Sequence, residues 1–212
     1  MKKVIILFII SLGLLGNTQL FAQDTQTISN DPLHALSSGI YYLESQTGQY
    51  KEIDANMFSQ SKQGSGILTS MTYGLAKTKQ KAVLSGTKAN LQIKTSAPSF
   101  YFVFDKEKSS LNETSQTATS PNQFVLVKFN ITTNKKSREL VTGSYNAYEG
   151  MASGIDESQK IPFKFEKIAQ GIYKVYPEQS LPKGEYSFLC TVGTTTAGNT
   201  STQKIFDFGI EN

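Results

Sequence analysis

The feature that most constrains the fold is the stretch 181–210, which has the pattern of two β-strands and the turn before them. Pro182 and Gly184 favour a turn, because proline presets φ and glycine tolerates a positive φ. Beyond that turn, apolar side chains alternate along 186–190 and 206–210, which is the period of strands that face a core. The polar segment between them predicts a hairpin loop. This region therefore predicts a β protein.

The turn resembles a local device of immunoglobulin-like sandwiches. The sequence Leu-x-x-Gly-x-Tyr-x-Phe at 181–188 is similar to the start of their strand F, where a tyrosine corner ties the turn to the strand. The resemblance implies that Tyr186 bonds back to the turn and that Phe188 points into the core. Phe206 and Phe208 of the final strand are expected to face that core as well. No activity is implied, because one fold hosts many functions.

Strand-like patterns also run through the rest of the chain. Seven of them begin at Ser99 and span about 112 residues, close to the size of an immunoglobulin-like domain. Two further hairpins are expected at 40–53 and 82–93, and together they predict a small antiparallel β layer with one solvated face. The predicted fold class is all-β, an immunoglobulin-like β-sandwich preceded by a small antiparallel β layer.

The N-terminus has the pattern of a secretory signal peptide. Lys2 and Lys3 precede an apolar run, and Ala22 is a small residue at the expected cleavage position. The run is shorter than the roughly 20 residues of a membrane-spanning helix. We expect export to the periplasm, the surface or the medium of a bacterium, with no membrane span in the mature chain. The predicted organisation is a signal peptide at 1–22, a flexible segment at 23–35, the small β layer or subdomain at 36–97 and the sandwich at 98–212.

The charge of the mature chain is close to neutral. The full sequence has 21 basic and 17 acidic residues, so removal of Lys2 and Lys3 leaves 19 basic residues and a net charge of +2. Arg138 is the single arginine, and no block of like charge is present. Proteins that bind phosphate backbones usually carry clusters of arginine and lysine, so nucleic acid is not expected as a partner.

Residues that commonly carry catalysis or bind metals are scarce. The sequence has one histidine, His34, and one cysteine, Cys190. A catalytic triad would have to use His34 in the loose N-terminal segment, where an imidazole lacks a fixed geometry. A zinc site needs three or four ligands of these types, and Cys190 is expected to be a small buried hydrophobe. We therefore expect no catalytic residue, no cofactor and no metal.

Pairs of carboxylates could still act on a glycan, because two acids that flank a sugar ring are the usual glycosidase arrangement. Acidic residues fall at several strand ends and in several loops. The candidates are Asp54, Asp105, Glu107, Asp156 and Glu157.

Tyr145 and Tyr148 are the candidate contact residues. Both lie in a Gly-rich segment that predicts an exposed loop. Tyrosine suits interfaces because its ring is apolar and its hydroxyl is polar. The alternative is that both residues pack their loop against its own domain.

Arg138, Glu139 and Glu185 are charged residues within strand-like sequence. We expect Arg138 to pair with Glu185 or Glu139 within about 4 Å and so to fix the strand register. The alternative is that all three side chains are solvated.

The chain resembles an uncharacterised family of exported bacterial β-rich proteins. The resemblance rests on the signal peptide, the Gly184-Glu185-Tyr186 turn, the 206–210 ending and several shorter motifs. Those motifs are Gly39-Ile40-Tyr41-Tyr42, Leu84-Ser85-Gly86, Pro98-Ser99-Phe100-Tyr101-Phe102 and Ser120-Pro121-Asn122-Gln123-Phe124. The resemblance covers most of the mature chain and implies no activity, ligand or catalytic residue.

These observations favour a non-enzymatic exported β-sandwich that binds or scaffolds a protein or glycan of the cell envelope or surface. Two alternatives stay open. One is a glycan-binding or glycan-acting protein that uses loop tyrosines and carboxylates. The other is a small-ligand carrier, which requires strands that close as a β-barrel around an apolar cavity.

Overall fold

The structure, a computed structural model, describes residues 32–58, 61–63, 78–105, 118–146, 150–192 and 204–212. The chain divides into two units, Met1–His34 and Ala35–Asn212. Of the first unit only 32–34 are described, and they begin a 3₁₀ turn, Pro32–Ala35. The predicted signal peptide therefore lies outside the described residues, as does most of the segment at 23–35.

Sixteen strands form the described part of the second unit. Their bounds are β1 Gly39–Glu44, β2 Gln49–Glu52, β3 Ala55–Met57, β4 Ser61–Gln63, β5 Thr78–Ser85, β6 Leu91–Ile93, β7 Phe100–Val103, β8 Phe124–Lys128, β9 Asn130–Thr132, β10 Ser137–Asn146, β11 Gly150–Ser153, β12 Lys160–Ile161, β13 Phe163–Ala169, β14 Ile172–Pro177, β15 Gly184–Cys190 and β16 Lys204–Ile210.

The strands pair into three sheets. Sheet A has the order β13-β14-β7-β1-β2. Sheet B has the order β12-β8-β15-β16-β3, with β6 running parallel to the end of β16. Sheet C has the order β11-β10-β5-β4, with β9 also paired to β10. Among the described residues the helical segments are short 3₁₀ turns, so the prediction of an all-β protein is confirmed.

Sheet B lies between sheets A and C. The evidence is that its strands bury apolar side chains on both faces. In β15, Phe188 belongs to a core cluster that also contains Phe100 of sheet A. The adjacent Leu189 belongs to a second cluster that contains Leu140 of sheet C. The architecture is therefore a sandwich of sheets A and B, with sheet C packed on the back of sheet B.

Phenylalanine rings fill the space between sheets A and B. The Phe100 ring lies 5.0 Å from that of Phe188 and 4.7 Å from that of Phe208. The Phe102 ring lies 5.0 Å from Phe188 and 5.1 Å from Phe124. These centroid distances are those that aromatic pairs prefer. None of the three sheets closes on itself among the described strands, and the rings occupy the space that a carrier would need for its ligand.

The turn before β15 has the geometry expected of a tyrosine corner. Tyr186 is fully buried, and its hydroxyl donates to the Pro182 carbonyl at 2.5 Å. Phe188 and Phe208 lie in the core, while Phe206 is half-buried against it. The immunoglobulin-like topology is not confirmed, because a tyrosine corner is a local device and the order of the strands in the sheets is a separate property.

The strands before residue 98 join all three sheets. The hairpin predicted at 40–53 is present, since β1 and β2 pair antiparallel. The hairpin predicted at 82–93 is wrong, because β5 pairs with β10 and β4, whereas β6 pairs with β16. The alternation of side chains indicates a strand but not its partner, and here the chain crosses from sheet C to sheet B between the two strands. Ten strands, more than the seven expected, follow Ser99.

Candidate functional site

Three charged side chains are buried where sheet C packs on sheet B. Arg138 comes from β10, Glu185 from β15 and Asp207 from β16, and the exposed fractions of their side chains are 6%, 5% and 3%. Arg138 donates through Nη1 to Asp207 Oδ2, and the same nitrogen lies 3.7 Å from Glu185 Oε2. The distance to Glu185 is within the 4 Å expected from the sequence, but Asp207 is the nearer partner. We call Arg138, Glu185 and Asp207 the buried ion cluster.

Glu139, the other expected partner of Arg138, pairs with lysines. Its Oε2 accepts a hydrogen bond from Lys81 Nζ at 2.7 Å, and its Oε1 lies 4.0 Å from Lys135 Nζ. The hydrogen bond from Lys81 holds the pKa of Glu139 below its usual value, and burial of the carboxylate opposes that shift. Adjacent residues of a strand point to opposite faces, which is why Arg138 and Glu139 have different partners.

The alternation along β15 and β16 explains why the two acids of the cluster converge. Glu185 lies opposite Gly209, and Ser187 lies opposite Asp207, in the antiparallel register of these strands. All four residues therefore share the face of sheet B that looks toward sheet C. A Cβ at Gly209 would lie 2.2 Å from the Gln92 Nε2 atom, so a larger residue there would have to displace the Gln92 side chain.

Neighbouring donors satisfy the two buried carboxylates. The Ala89 N–H donates to Glu185 Oε2 at 2.6 Å, and Gln92 Nε2 donates to Glu185 Oε1 at 3.3 Å. Asn56 Nδ2 donates to Asp207 Oδ1 at 2.6 Å. Burial raises the pKa of Glu185, while the bonds from Ala89 and Gln92 lower it without cancelling the rise.

The remaining guanidinium nitrogens of Arg138 donate hydrogen bonds to backbone carbonyls. Its Nε donates to the Gly86 carbonyl at 3.3 Å, and its Nη2 donates to the Ser85 carbonyl at 3.4 Å. The guanidinium carbon also lies 5.8 Å from the centroid of the Phe129 ring. Arg138 thus ties the end of β5 to sheet B. The cluster is internally paired, so it is arranged to hold sheets together and not to attack a substrate.

A surface pocket of about 240 Å³ opens beside Asp207. Asp54, one of the candidate glycosidase acids, lines it together with Glu52. The third carboxylate of the pocket, that of Asp207, is already bonded to Arg138 and Asn56. Within the described ranges, no group of three or more His, Cys, Asp or Glu side chains could hold a metal ion.

Asp105, Asp156 and Glu157, the other candidate acids that the structure describes, are not among the residues that line this pocket. Asp156 caps a 3₁₀ turn, Glu157–Gln159, by accepting from the Ser158 N–H at 3.1 Å. Glu157 pairs with Lys160 at 2.6 Å. Asp105 lies just after β7, and Glu107 lies outside the described residues. Of the four candidate acids that the structure describes, Asp54 alone lines this pocket.

Tyr145 lies in a strand, so the prediction of a loop is wrong at this position. Its backbone is part of β10, opposite Thr78 of β5 and Met151 of β11. The register between β10 and β5 shifts between Val141 and Gly143, so this glycine marks an irregularity within a strand, where the sequence suggested a loop. Tyr148, the second candidate contact residue, lies outside the described residues.

The structure describes both the single histidine and the single cysteine. His34 is in the 3₁₀ turn at Pro32–Ala35. Cys190 is the last residue of β15 and is half-buried, with its Sγ 3.7 Å from the Val192 carbonyl. Its position at the strand end explains why it is less buried than Phe188.

Tyrosines line the side of sheet A that faces away from sheet B, which we call the outer face. One row in the strand register crosses all five strands of this sheet and consists of Glu52, Tyr41, Tyr101, Lys174 and Glu166. The neighbouring residues Phe100 and Phe102 point the other way, into the core. A tyrosine between two phenylalanines looks apolar in the sequence, which is why Tyr101 was not recognised as a surface residue.

The tyrosines of the outer face differ in burial. Tyr41 is 4% exposed, and its hydroxyl donates to the Ser37 carbonyl at 3.1 Å, so it serves the fold. Tyr50 and Tyr101 are half-buried, and their rings meet edge to face with centroids 5.2 Å apart. Tyr176 is also half-buried. These last three rings form the half-buried aromatic part of the outer face.

Tyr176 borders a second pocket, of about 280 Å³. Its hydroxyl donates to Glu166 Oε1 at 2.7 Å, and this acceptor raises the pKa of the phenol. The Lys174 ammonium lies 6.0 Å from the centroid of the same ring. Ser99 lines the pocket as well. A carboxylate, an ammonium group and a hydroxyl thus surround the Tyr176 ring.

Comparisons of the chain with protein-family models, curated proteins and solved structures gave no match. Within the part of the chain that the structure describes, no helix has the length and apolar character needed to cross a bilayer. The likeness to a family of exported bacterial proteins stays a prediction from the sequence.

Proposed function

We propose that the protein is an exported, non-enzymatic β-sandwich module that binds a macromolecule of the cell envelope or surface through the outer face of sheet A. The observation that carries this proposal is the group of half-buried rings of Tyr50, Tyr101 and Tyr176 on that face. Tyrosine presents a rigid apolar ring at low entropic cost and a hydroxyl for hydrogen bonds.

Charged residues around the tyrosines support a binding role. Glu52, Lys174 and Glu166 lie in the row that contains Tyr101, and both signs of charge are present. Interfaces of moderate affinity combine an aromatic centre with a polar rim, and the rim contributes to specificity. The side chains stand on a five-stranded sheet, which holds them in fixed positions before a partner arrives.

The buried ion cluster supports a non-enzymatic role. Its two carboxylates are bonded to Arg138, Ala89, Gln92 and Asn56. A general base or nucleophile must reach the proton or atom on which it acts. Acids that are fully engaged inside the protein do not meet that condition, so the cluster serves stability.

A glycan is the second candidate for the partner, and the pocket beside Tyr176 favours it. A sugar ring can stack on an aromatic ring while its hydroxyls bond to nearby carboxylates, amines and hydroxyls. Glu166, Lys174 and Ser99 offer those groups around a pocket of about 280 Å³. In this form of the proposal Tyr176, and not Tyr145 or Tyr148, is the tyrosine that contacts the glycan.

The test is a crosslinked pull-down from the native cell envelope with tagged residues 23–212. The test variant carries Tyr101→Ser and Tyr176→Ser, and the matched control carries Ile131→Ser, which changes a 47%-exposed apolar residue of sheet C. We expect one dominant partner with the wild type and the control, and at least about a tenfold loss with the test variant.

Two observations distinguish the outcomes: whether the recovered material is protein or polysaccharide, and whether the test variant fails to recover it. A protein that disappears with the test variant supports the proposal, and a polysaccharide that disappears supports its glycan form. Equal recovery with all three chains contradicts a role for the outer face, and no recovery contradicts the binding function. Circular dichroism of each variant confirms that the chain is folded.

A further inference from the structure

We propose that the edge strand β13 joins two copies of this chain, which pair antiparallel about a twofold axis at Phe165. Each copy contributes Phe163–Ala169 at the edge of its sheet A. The partner is therefore a second copy of the same chain. The inference is independent of what the outer face of sheet A binds.

β13 is long for an edge strand. It has seven residues and pairs only with β14 among the described strands. The strands β2, β3, β4, β11 and β12 at the other sheet ends have four, three, three, four and two residues. Natural β proteins usually shorten or cover such edges, because unpaired backbone groups recruit another strand. The length of β13 is the first sign that its edge has a partner.

The apolar side chains of β13 are the second sign. Phe163 reaches the core, where its ring lies 5.8 Å from that of Phe188. Phe165 points the same way but packs on the Tyr173 ring at 6.0 Å and stays 41% exposed. Ile168 is 46% exposed. Two of the four large hydrophobic residues exposed in the described part of the chain are therefore on this one strand.

The charges of β13 select a second copy as the partner. An antiparallel pair centred on Phe165 places Lys164 of each copy opposite Glu166 of the other. Both side chains are exposed and lie on the outer face, opposite Tyr176 and Lys174 of β14. Two opposite-charge pairs then form across the axis, and the two Phe165 rings meet on the inner face. Glu166 already accepts from Tyr176, and a carboxylate has room for a further donor.

The same charges make other registers of the strand pair unfavourable. A twofold axis at Lys164 or at Glu166 places like charges directly opposite each other, and so does a parallel pair in register. A slip by one residue also moves Phe165 to the other face. Pro162 before the strand and the register shift between Lys167 and Ala169 limit the pairing to the central residues. The sequence Lys-Phe-Glu is thus complementary to itself in one arrangement.

Pairing of this kind would join the two five-stranded sheets A into one continuous sheet. The outer faces of the two copies would then lie side by side. The contact is a single strand pair, which is smaller than the interface of a permanent dimer, so we expect an equilibrium between monomer and dimer.

The test is sedimentation velocity of residues 23–212 between about 10 µM and about 1 mM, with two charge-reversal variants. Glu166→Lys gives the strand two positive side chains at the paired positions, and Lys164→Glu gives it two negative ones. Each variant alone places like charges opposite each other in the dimer. We expect its dissociation constant to rise by about tenfold or more relative to the wild type.

A mixture of the two variants provides the decisive result, because every facing pair in a mixed dimer is again of opposite charge. We expect the equimolar mixture to associate at least as well as the wild type. A mixture that stays as monomeric as its components overturns the proposal, and so does a wild type that is monomeric over the whole range. The mixture also controls for folding, since a variant that unfolds cannot regain association on mixing.

A crosslinking measurement tests the position of the axis. In a Cys190→Ser background, Phe165→Cys places one thiol on each side of the axis, at the separation of directly opposed strand residues. We expect a covalent dimer on mild oxidation. Ile131→Cys in the same background is the exposed control on sheet C and should stay monomeric. Equal yields from the two variants contradict the assignment to β13.

Discussion

Arg138 on β10 donates a hydrogen bond to Asp207 on β16, and this contact joins sheet C to the middle sheet of the molecule. Glu185 on β15 lies 3.7 Å from the same guanidinium. One arginine thus holds two buried carboxylates, and its remaining nitrogens bond to the end of β5. Loss of the arginine would leave both acids without their cation.

We therefore expect Arg138→Leu to lower the free energy of unfolding by about 3–5 kcal/mol, the range for removing one partner of a buried ion pair. Urea unfolding followed by circular dichroism measures the change. Lys51→Ala, which removes the partner of Glu44 at 2.6 Å on the surface, is the control and should cause a much smaller loss. Equal losses for the two variants would show that the buried ion cluster contributes no more than an exposed pair.

Glu185 should make the folded state less stable as the pH rises. Burial raises its pKa in the folded protein above the ordinary value of 4.5. At a pH between 4.5 and the pKa of Glu185 in the folded protein, the folded state binds more protons than the unfolded state. The contribution of Glu185 to stability is therefore present below pH 4.5 and is lost as the pH rises through the folded-state pKa. The free energy of unfolding of the wild type, relative to Glu185→Gln, should fall as the pH rises above 4.5. A relative stability that rises over this range would contradict the assignment.

Glu139 should show the opposite dependence. The hydrogen bond from Lys81 lowers its pKa below 4.5 in the folded protein. The contribution of Glu139 is present above 4.5 and is lost as the pH falls through the folded pKa. Measured against Glu139→Gln, the wild type should lose stability as the pH falls below 4.5. A contribution to stability that changes with pH in the same direction for Glu139 and Glu185 would contradict one of the two pKa shifts.

Removal of the tyrosine-corner hydroxyl should destabilise the fold modestly. Tyr186→Phe keeps the buried ring but leaves the Pro182 carbonyl without its donor. We expect a loss of about 1–2 kcal/mol in thermal or urea unfolding. Tyr176→Phe, which removes an exposed bond to Glu166, serves as the control and should have a smaller effect. An equal or larger loss with Tyr176→Phe would contradict the structural role of the corner.

The centre of the aromatic core should be sensitive to truncation. Phe188 is fully buried and packs against Phe100, Phe102, Phe163 and Phe208. We expect Phe188→Ala to lower the free energy of unfolding by about 3–5 kcal/mol, because it leaves a cavity among rigid neighbours. The same truncation of a half-exposed phenylalanine gives the comparison.

Phe165→Ala is that comparison, since Phe165 is 41% exposed at the edge of sheet A. Its loss of stability should be well below that of Phe188→Ala when both are measured at low protein concentration. A similar loss from the two substitutions would mean that β13 is packed more deeply than its exposure indicates.

Much of the local structure was predictable from the sequence. The alternation at 186–190 and 206–210 gave two adjacent antiparallel strands, β15 and β16. The Gly184-Glu185-Tyr186 turn gave the tyrosine corner, because its geometry depends on residues four apart in the chain. Short-range features of this kind are set by local sterics and side-chain period.

Long-range pairing was not predictable in the same way. Asp207 has its apolar neighbours on the opposite face of β16, and nothing in its local sequence indicates an arginine 69 positions earlier. Likewise, β6 pairs with β16 and not with the nearby β5, because pairing depends on the packing of the whole chain. The outer face of sheet A was missed because Tyr101 and Phe102 look equally apolar until a sheet separates their sides.

The most direct test of binding through the outer face of sheet A is site-specific photocrosslinking in the native envelope, with p-benzoylphenylalanine in place of Tyr101, of Tyr176 or, as the control, of Ile131. We expect positions 101 and 176 to capture the same partner and position 131 to capture none, because the first two lie on the outer face of sheet A and the third lies on sheet C. Capture of the same partner from position 131, or of none from 101 and 176, would contradict the claim that this face is the binding surface.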